Sequence, residues 1–273
     1  MTEHLDKLSK KANKLTDKGI RLENTGDYEN ALKCYSKALS LYDQLGDSLG
    51  KADSLNNIGI VLNAKGHQNE ALKYYKEAMK IDEQINDLGG KATRLNNIGE
   101  VHRINGDHQE ALRCYKEALL IYEQLHDLGS KGVILNNIGL ICDVQGKYDE
   151  ALRYYEEALN IAEELEDLSV KATRLSNIGL IYRQKGKYSE AMDFYRHALE
   201  IDEQLGNIPG KATDLNNIAT TQFILGKYSE ALKNFEGALQ ILNEIGLGSS
   251  QNAQIFRKNI EYVKRKLGKE REI

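Results

Sequence analysis

Leu95-Asn96-Asn97-Ile98-Gly99 returns at a fixed interval along the chain. It stands as Leu55-Asn56-Asn57-Ile58-Gly59 before this point and as Leu135-Asn136-Asn137-Ile138-Gly139 after it. Two altered copies follow, Leu175-Ser176-Asn177-Ile178-Gly179 and Leu215-Asn216-Asn217-Ile218-Ala219. Each copy lies 40 residues from the last, without slippage. A strict period of this length marks a stack of similar units, each covering the apolar face of its neighbour.

Within one period the apolar residues recur at helical spacing. In the third unit Ala92, Leu95, Ile98, Gly99 and Val101 share one face. Gly106 ends that helix, and Asp107 with Glu110 three residues on predicts a capping box for the next. Ala111, Leu112, Tyr115, Ala118, Leu119 and Tyr122 carry the second face. The same partition predicts helix pairs over about 4–46, 47–86, 87–126, 127–166, 167–206 and 207–246. A further amphipathic helix is expected over about 249–269, with Phe256, Ile260, Val263 and Leu267 on one side, closing the last unit. The first unit lacks the Asn pair, with Thr16 and Asp17 in its place, as a terminal repeat with one wet flank would. The expected fold is all-α, one solenoid of six helix-turn-helix units over 1–273 with a C-terminal capping helix.

Small residues set the packing. Gly59, Gly99, Gly139 and Gly179 sit inside helices, where Gly costs about 1 kcal/mol against Ala. Close approach to the partner helix, with Tyr75, Tyr115, Tyr155 and Tyr195 filling the gap, is the expected compensation. Asp47, Asp87, Asp127, Asp167 and Asn207 suit the N-caps of first helices. Lys51, Lys91, Lys131, Lys171 and Lys211 follow four residues on, placed to pair with those caps.

The chain's net charge of −4 gives no general attraction to nucleic acid. From Gln251 onward seven Lys or Arg face three Glu, which fits a solvated terminal helix. Three cysteines, Cys34, Cys114 and Cys142, form no paired framework and suit a reducing compartment. Met1 to Lys11 holds no apolar run, so neither a signal peptide nor a membrane span is expected, and the location expected is cytoplasmic. The six His never fall at metal-ligand spacing, and Gly89-Gly90-Lys91 lacks the phosphate-loop signature. No nucleophile and base can be paired. The expectation is therefore a non-enzymatic protein with no cofactor and no metal.

The pattern Leu95-x-x-Ile98-Gly99, then Gly106, Ala111, Tyr115 and Ala118, resembles the tetratricopeptide repeat. Six units fit, covering essentially the whole chain. The opening position is always Leu, the Pro that commonly ends the unit is absent, and the unit is longer than the usual one of about 34 residues. This longer form is similar to the repeats of kinesin light chains, of the spindle-orientation adaptor Pins, and of many prokaryotic signalling proteins. The resemblance implies a right-handed superhelix with first helices on the concave wall and a peptide held in the groove.

Nine Asn occupy the doublets. Asn inside a helix costs roughly 0.6 kcal/mol against Ala, so nine cost on the order of 5 kcal/mol, comparable to the stability of a whole domain. A carboxamide both donates and accepts, and so matches a peptide backbone. Asn57, Asn97, Asn137, Asn177 and Asn217 are expected to meet a ligand's backbone, with Asn96 and Asn136 beside them. The alternative is that the amides tie one first helix to the next. The resemblance also places Arg94, Arg103, Leu140, Arg174, Leu180 and Arg183 on the concave wall. Four Arg there imply a protein or peptide partner with acidic residues and an apolar anchor near Leu140 and Leu180. Two other classes stay open: a peptide-signal sensor lacking its output domain, and a solenoid that self-assembles through its terminal helices.

Overall fold

The computed structural model describes residues 2–270, all but the loops in helices. Thirteen α-helices follow one another among the described residues. They are α1 (Thr2–Asn24), α2 (Tyr28–Leu45), α3 (Ser48–Ala64), α4 (Gln68–Ile85), α5 (Leu88–Ile104), α6 (His108–Gln124) and α7 (Leu128–Val144). Then come α8 (Tyr148–Glu164), α9 (Leu168–Gln184), α10 (Tyr188–Leu205), α11 (Ile208–Ile224), α12 (Tyr228–Glu244) and α13 (Gln251–Glu270). The end of the basic C-terminal segment, 271–273, lies outside the described residues. Contacts divide the chain into two units, Met1–Ile134 and Leu135–Ile273. In the first, α1 to α6 pack each on the next; in the second, α8 to α13 do the same. Such contacts between consecutive helices are those of a helix-pair solenoid.

The interior glycines are explained by their neighbours. A Cβ added to Gly99 would lie 2.7 Å from the Tyr115 ring, and one added to Gly139 would lie 2.6 Å from that of Tyr155. Both rings are at most 1% exposed, so the bare backbone of the first helix is the wall they pack on. Gly19 does the same for Tyr35, at 2.5 Å, although its repeat has lost the Asn pair. In the last repeat the pairing is Ala219 with Phe235, both buried. The Tyr residues expected in the core are there: Tyr35, Tyr75, Tyr115, Tyr155 and Tyr195 are the largest fully buried side chains.

The turns obey local chemistry. Gly106 takes φ +83°, and Asp107 N donates to His102 O at 2.8 Å, closing α5 with a left-handed cap. Asp47, Asp87, Asp127, Asp167 and Asn207 cap the first helices as expected, each accepting from a backbone N–H three residues on at 2.9–3.2 Å. Two expectations fail. The Asp107–Glu110 capping box does not form: Asp107 caps no backbone N–H through its side chain, and Glu110 instead accepts from Arg113 at 2.8 Å. The ion pairs described for Lys51, Lys91, Lys171 and Lys211 do not go to the N-cap residues either. Lys91 reaches Glu83 and Glu117, Lys171 reaches Glu163, and Lys211 reaches Glu203, at 2.8–3.1 Å. The cap carboxylates already hold backbone N–H groups, and the long Lys side chain reaches glutamates of second helices, Glu83, Glu163 and Glu203 on the preceding one and Glu117 on the following one. At half-exposed positions such pairs contribute little, about 0–1 kcal/mol each.

α13 completes the second unit. Ala253 and Phe256 join Ala212, Ala238 and Leu242, and Ile260 and Val263 join Ala219, Ala231 and Phe235. Ser250 Oγ accepts from Ala253 N at 3.2 Å and starts the helix. No helix of the described residues is long and apolar enough to cross a membrane.

Candidate functional site

The Asn doublets sit at the middle of the first helices, three and two residues before the Gly or Ala that meets the aromatic ring. In the first unit Asn97 Nδ2 donates to Asn56 Oδ1 at 2.8 Å. In the second, Asn177 Nδ2 donates to Asn136 Oδ1, also at 2.8 Å. Asn96 Nδ2 reaches its neighbour Asn97 Oδ1 at 3.4 Å, and Asn136 Nδ2 reaches Asn137 Oδ1 at 3.5 Å. The amides thus link first helix to first helix, the alternative that the sequence left open. Asn136 is 9% exposed and Asn56 is 6% exposed, so the first members of those two doublets lie under the surface rather than on it.

The second members are different. Asn57, Asn97, Asn137, Asn177 and Asn217 are all half-buried. One N–H of Asn97 or Asn177 is engaged by the preceding helix; a carboxamide carries a second N–H and two acceptor lone pairs. The inter-helix bond therefore fixes the plane of the amide without using all of it. Asn57 and Asn217 carry no side-chain hydrogen bond among those described. The row is continued at its C-terminal end by a residue that sequence reading did not single out: Asn259 of α13 donates to Asn216 Oδ1 at 3.2 Å. The capping helix so takes the place of a further first helix.

The four arginines differ in burial and in partner. Arg94 is 3% exposed. Its Nη2 donates to Asp53 Oδ1 at 2.7 Å, and its Nε lies 3.1 Å from Asp82 Oδ2. Burial pushes Asp82 up to about 6, with the Arg94 charge opposing the shift. Arg174 is also buried, beside Tyr155, and its Nε has no hydrogen-bond partner among the described residues. Arg103 forks onto Glu100 at 2.8 and 2.6 Å, and Glu100 Oε2 also accepts from Tyr115 OH. Arg183 lies over the Tyr195 ring, 6.0 Å from its centroid. Arg94 and Arg174 fall on the inward face of their helices because position 94 and its equivalents, Ser54, Ile134 and Asp214, are all buried. Leu140 and Leu180 are half-buried.

A cavity of about 250 Å³ in the second unit gathers several of these groups. Asn177, Leu180 and Asn217 line it together with Ser176, Asp202 and Asp214. Asp202 and Asp214 were not expected as site residues; their signal lies in reading one repeat column across periods, and only burial gives it meaning. Asp202 Oδ1 accepts from Asn207 Nδ2 at 2.9 Å, and Asp214 Oδ1 accepts from Ser176 Oγ. Burial, then the neighbouring Asp202, pushes Asp214 up to about 7 against the Ser176 hydrogen bond.

Comparison with known proteins follows the same lines. In structure the chain is similar to a signal transduction ATPase with numerous domains from Pyrococcus horikoshii that has a tetratricopeptide repeat sensor (TM-score 0.73, 19% identity, 97% of this chain and 40% of that one). It is similar to a Rap protein complexed with competence and sporulation factor (TM-score 0.67, 18% identity, 93% and 75%). It is also similar to BtubC from P. vanneervenii (TM-score 0.67, 17% identity, 89% and 92%). At these identities the likeness is one of fold. No curated protein matches the chain by sequence. The tetratricopeptide repeat model matches residues 12–84, 91–164, 131–204 and 170–244, most of the chain and in register with its 40-residue period, so the chain belongs to the tetratricopeptide repeat family.

Proposed function

We propose that this chain is a non-enzymatic interaction module that binds a peptide segment of a partner protein along the face of its first helices. The observation that carries the reading is the geometry of Asn177 and Asn217. Both are half-buried, both line the cavity that includes Leu180, and Asn177 is held in plane by its 2.8 Å bond to Asn136. Amides oriented in advance lose little freedom when they meet a peptide N–H or C=O. Leu180 supplies an apolar anchor beside them. The repeat fold, typical of interaction scaffolds, is consistent with this role.

The test is selection of peptides from a random display library on the intact chain, followed by binding to Asn217→Ala and Asn177→Ala. Asn217 carries no inter-helix bond among those described, so its truncation probes ligand contact rather than helix packing. Each variant is expected to weaken the selected peptides by about tenfold, near 1.4 kcal/mol. Unchanged affinity in both variants refutes the groove.

A second reading, a sensor of a free oligopeptide, draws support from two of the similar structures. One is a Rap protein complexed with competence and sporulation factor, and the other carries its repeats as a sensor. It differs from the first in that a free peptide alone, without a carrier protein, would saturate the site and raise the thermal midpoint.

A further inference from the structure

The repeat columns at the Asp202–Asp214 cavity reproduce, with one sign reversed, an ion pair elsewhere in the chain. Counting by the 40-residue period, Asp202 stands in the column of Asp82, Thr173 in that of Asp53, and Asp214 in that of Arg94. At the earlier site Arg94 is the cation: its Nε lies 3.1 Å from Asp82 Oδ2 and its Nη2 2.7 Å from Asp53 Oδ1. A glycine makes room for each carboxylate, Gly90 for Asp82 and Gly210 for Asp202, because a Cβ there would run into the carboxylate oxygens. At the later site the carboxylate and its glycine are retained and the cation is replaced by a second carboxylate.

The consequence is two buried acids with no cation. Asp202 is 5% exposed and Asp214 is 2% exposed. Among the described residues no positive charge acts on either; hydrogen bonds from Asn207 and Ser176 are what each receives. Among the described residues Asp214 Oδ2 is buried without a hydrogen-bond partner, and Asp214 lines the cavity. Buried carboxylates in this condition are costly unless a cation meets them. A cavity of about 250 Å³ is several times the roughly 30 Å³ share of one water molecule and has room for a planar guanidinium.

We propose that this cavity takes the guanidinium of an arginine in the bound peptide, seated against Asp202 and Asp214 as Arg94 is seated against Asp82. The inference rests on the peptide-binding reading and adds its specificity: the partner segment carries an arginine beside an apolar residue for Leu180. An arginine fork matches two carboxylates better than a lysine ammonium does. Asp214, pushed up to about 7 by burial and Asp202, is drawn back into the ionised form when the guanidinium enters.

The experiment uses the full chain and three probes: the acetylated, amidated pentapeptide Ala-Ala-Arg-Ala-Ala, the same peptide with neutral citrulline for arginine, and agmatine. Binding is followed by NMR shifts of the Asn177 and Asn217 side-chain amides. The arginine peptide is expected to bind saturably, and citrulline and agmatine at least about tenfold more weakly. Asp214→Asn, which removes a buried charge and so does not threaten folding, is expected to erase the preference for arginine over citrulline. Asp202→Asn should do the same, whereas Asp53→Asn at the earlier ion pair should not. Equal affinity for arginine and citrulline peptides, or a preference that survives both variants, overturns the pocket and leaves the groove standing. Agmatine binding as tightly as the arginine peptide overturns a peptide as the source of the guanidinium. If the arginine peptide does not bind saturably, the pocket is overturned; the groove itself falls only if library-selected peptides also ignore Asn177 and Asn217.

Discussion

Replacing Arg94 by Met separates the charge of this side chain from its bulk. The stem keeps its place, and the guanidinium that meets Asp82 and Asp53 is lost. Asp82 is 0% exposed, and its Oδ2 lies 3.1 Å from Arg94 Nε. At that distance and an effective dielectric constant near 20, the attraction is about 5 kcal/mol, offset by the desolvation of both groups. The variant keeps the desolvation of Asp82 and loses the attraction, so the expected loss is about 3–5 kcal/mol where Asp82 is ionised. Asp53 is more than half exposed and adds little. The loss must also depend on pH. Burial holds the Asp82 carboxyl up to about 6 in the folded parent, from 3.8, and without Arg94 it moves higher. A carboxyl raised by folding contributes stability that is full below its unfolded pKa and disappears as pH rises through its folded pKa. Arg94→Met should therefore be mild near pH 5, where the folded variant protonates Asp82, and severe near pH 8. Urea unfolding followed by circular dichroism gives the midpoint at each pH, and hydrogen exchange on α4 and α5 localises the loss in a stack that can open in parts. Adding Asp82→Leu, a residue already present in this column as Leu242, should restore stability near pH 8 to within about 1 kcal/mol of the parent. A loss of the same size at both pH values, or no rescue by the second change, refutes the account of Asp82 as a charge held by Arg94.

Other outcomes follow from the same geometry. Gly139→Ala should destabilise by about 1–3 kcal/mol in urea although Ala is the better helix former, because its Cβ meets the pinned Tyr155 ring; a neutral result means the ring can move. Asp214→Asn should raise the thermal midpoint near pH 8 and flatten the stability–pH curve. Folding raises this carboxyl from 3.8 to about 7, so its contribution is full below the lower value and lost as pH rises to the upper one; a curve as steep as the parent's sinks the assignment. Glu166→Gly should stabilise by up to about 1 kcal/mol, since Glu166 sits at φ +53° where the equivalent Gly206 needs no strain; a lower urea midpoint would show a contact that matters more than the backbone.

How far the sequence could be read depended on which physical effect set each residue. Helix boundaries and caps were legible because they are local: Gly106 and the N-cap Asp row impose their geometry on the residues beside them, and the structure has them within a residue or two. The helix-interior glycines were legible as a puzzle, a repeated local cost, and Tyr115 and Tyr155 supply the answer. The arginines were not legible. Arg94 and Arg183 look alike in sequence, each a cation on a first helix, yet one is buried against Asp82 and the other is half-buried over the Tyr195 ring. What separates them is the helix face, and a first helix touched on several sides has almost no polar stripe to reveal it. The Asn row was legible as a feature and not as a contact, because an amide suits a ligand and a neighbouring amide equally well.

A strict period invites the assumption that every unit does the same thing, and the inward column of the first helices argues otherwise. Ser54, Arg94, Ile134, Arg174 and Asp214 occupy equivalent places, all at most 6% exposed. Packing alone would fill such a column with one apolar residue, as it fills the column packed on the helix-interior glycines with Tyr35, Tyr75, Tyr115, Tyr155 and Tyr195. Instead its chemistry changes at each repeat, and the second-helix column that faces it changes as well, through Tyr42, Asp82, Tyr122, Ala162 and Asp202. Where the two columns match in charge, as at Arg94 and Asp82, the junction is closed by the chain itself. Where they clash, as at Asp214 and Asp202, a cost to stability is retained in a cavity that opens beside the half-buried Asn row. The recurring frame of Gly and Tyr holds the stack, and departures from it at one junction mark the place where a partner's own cation would complete the structure.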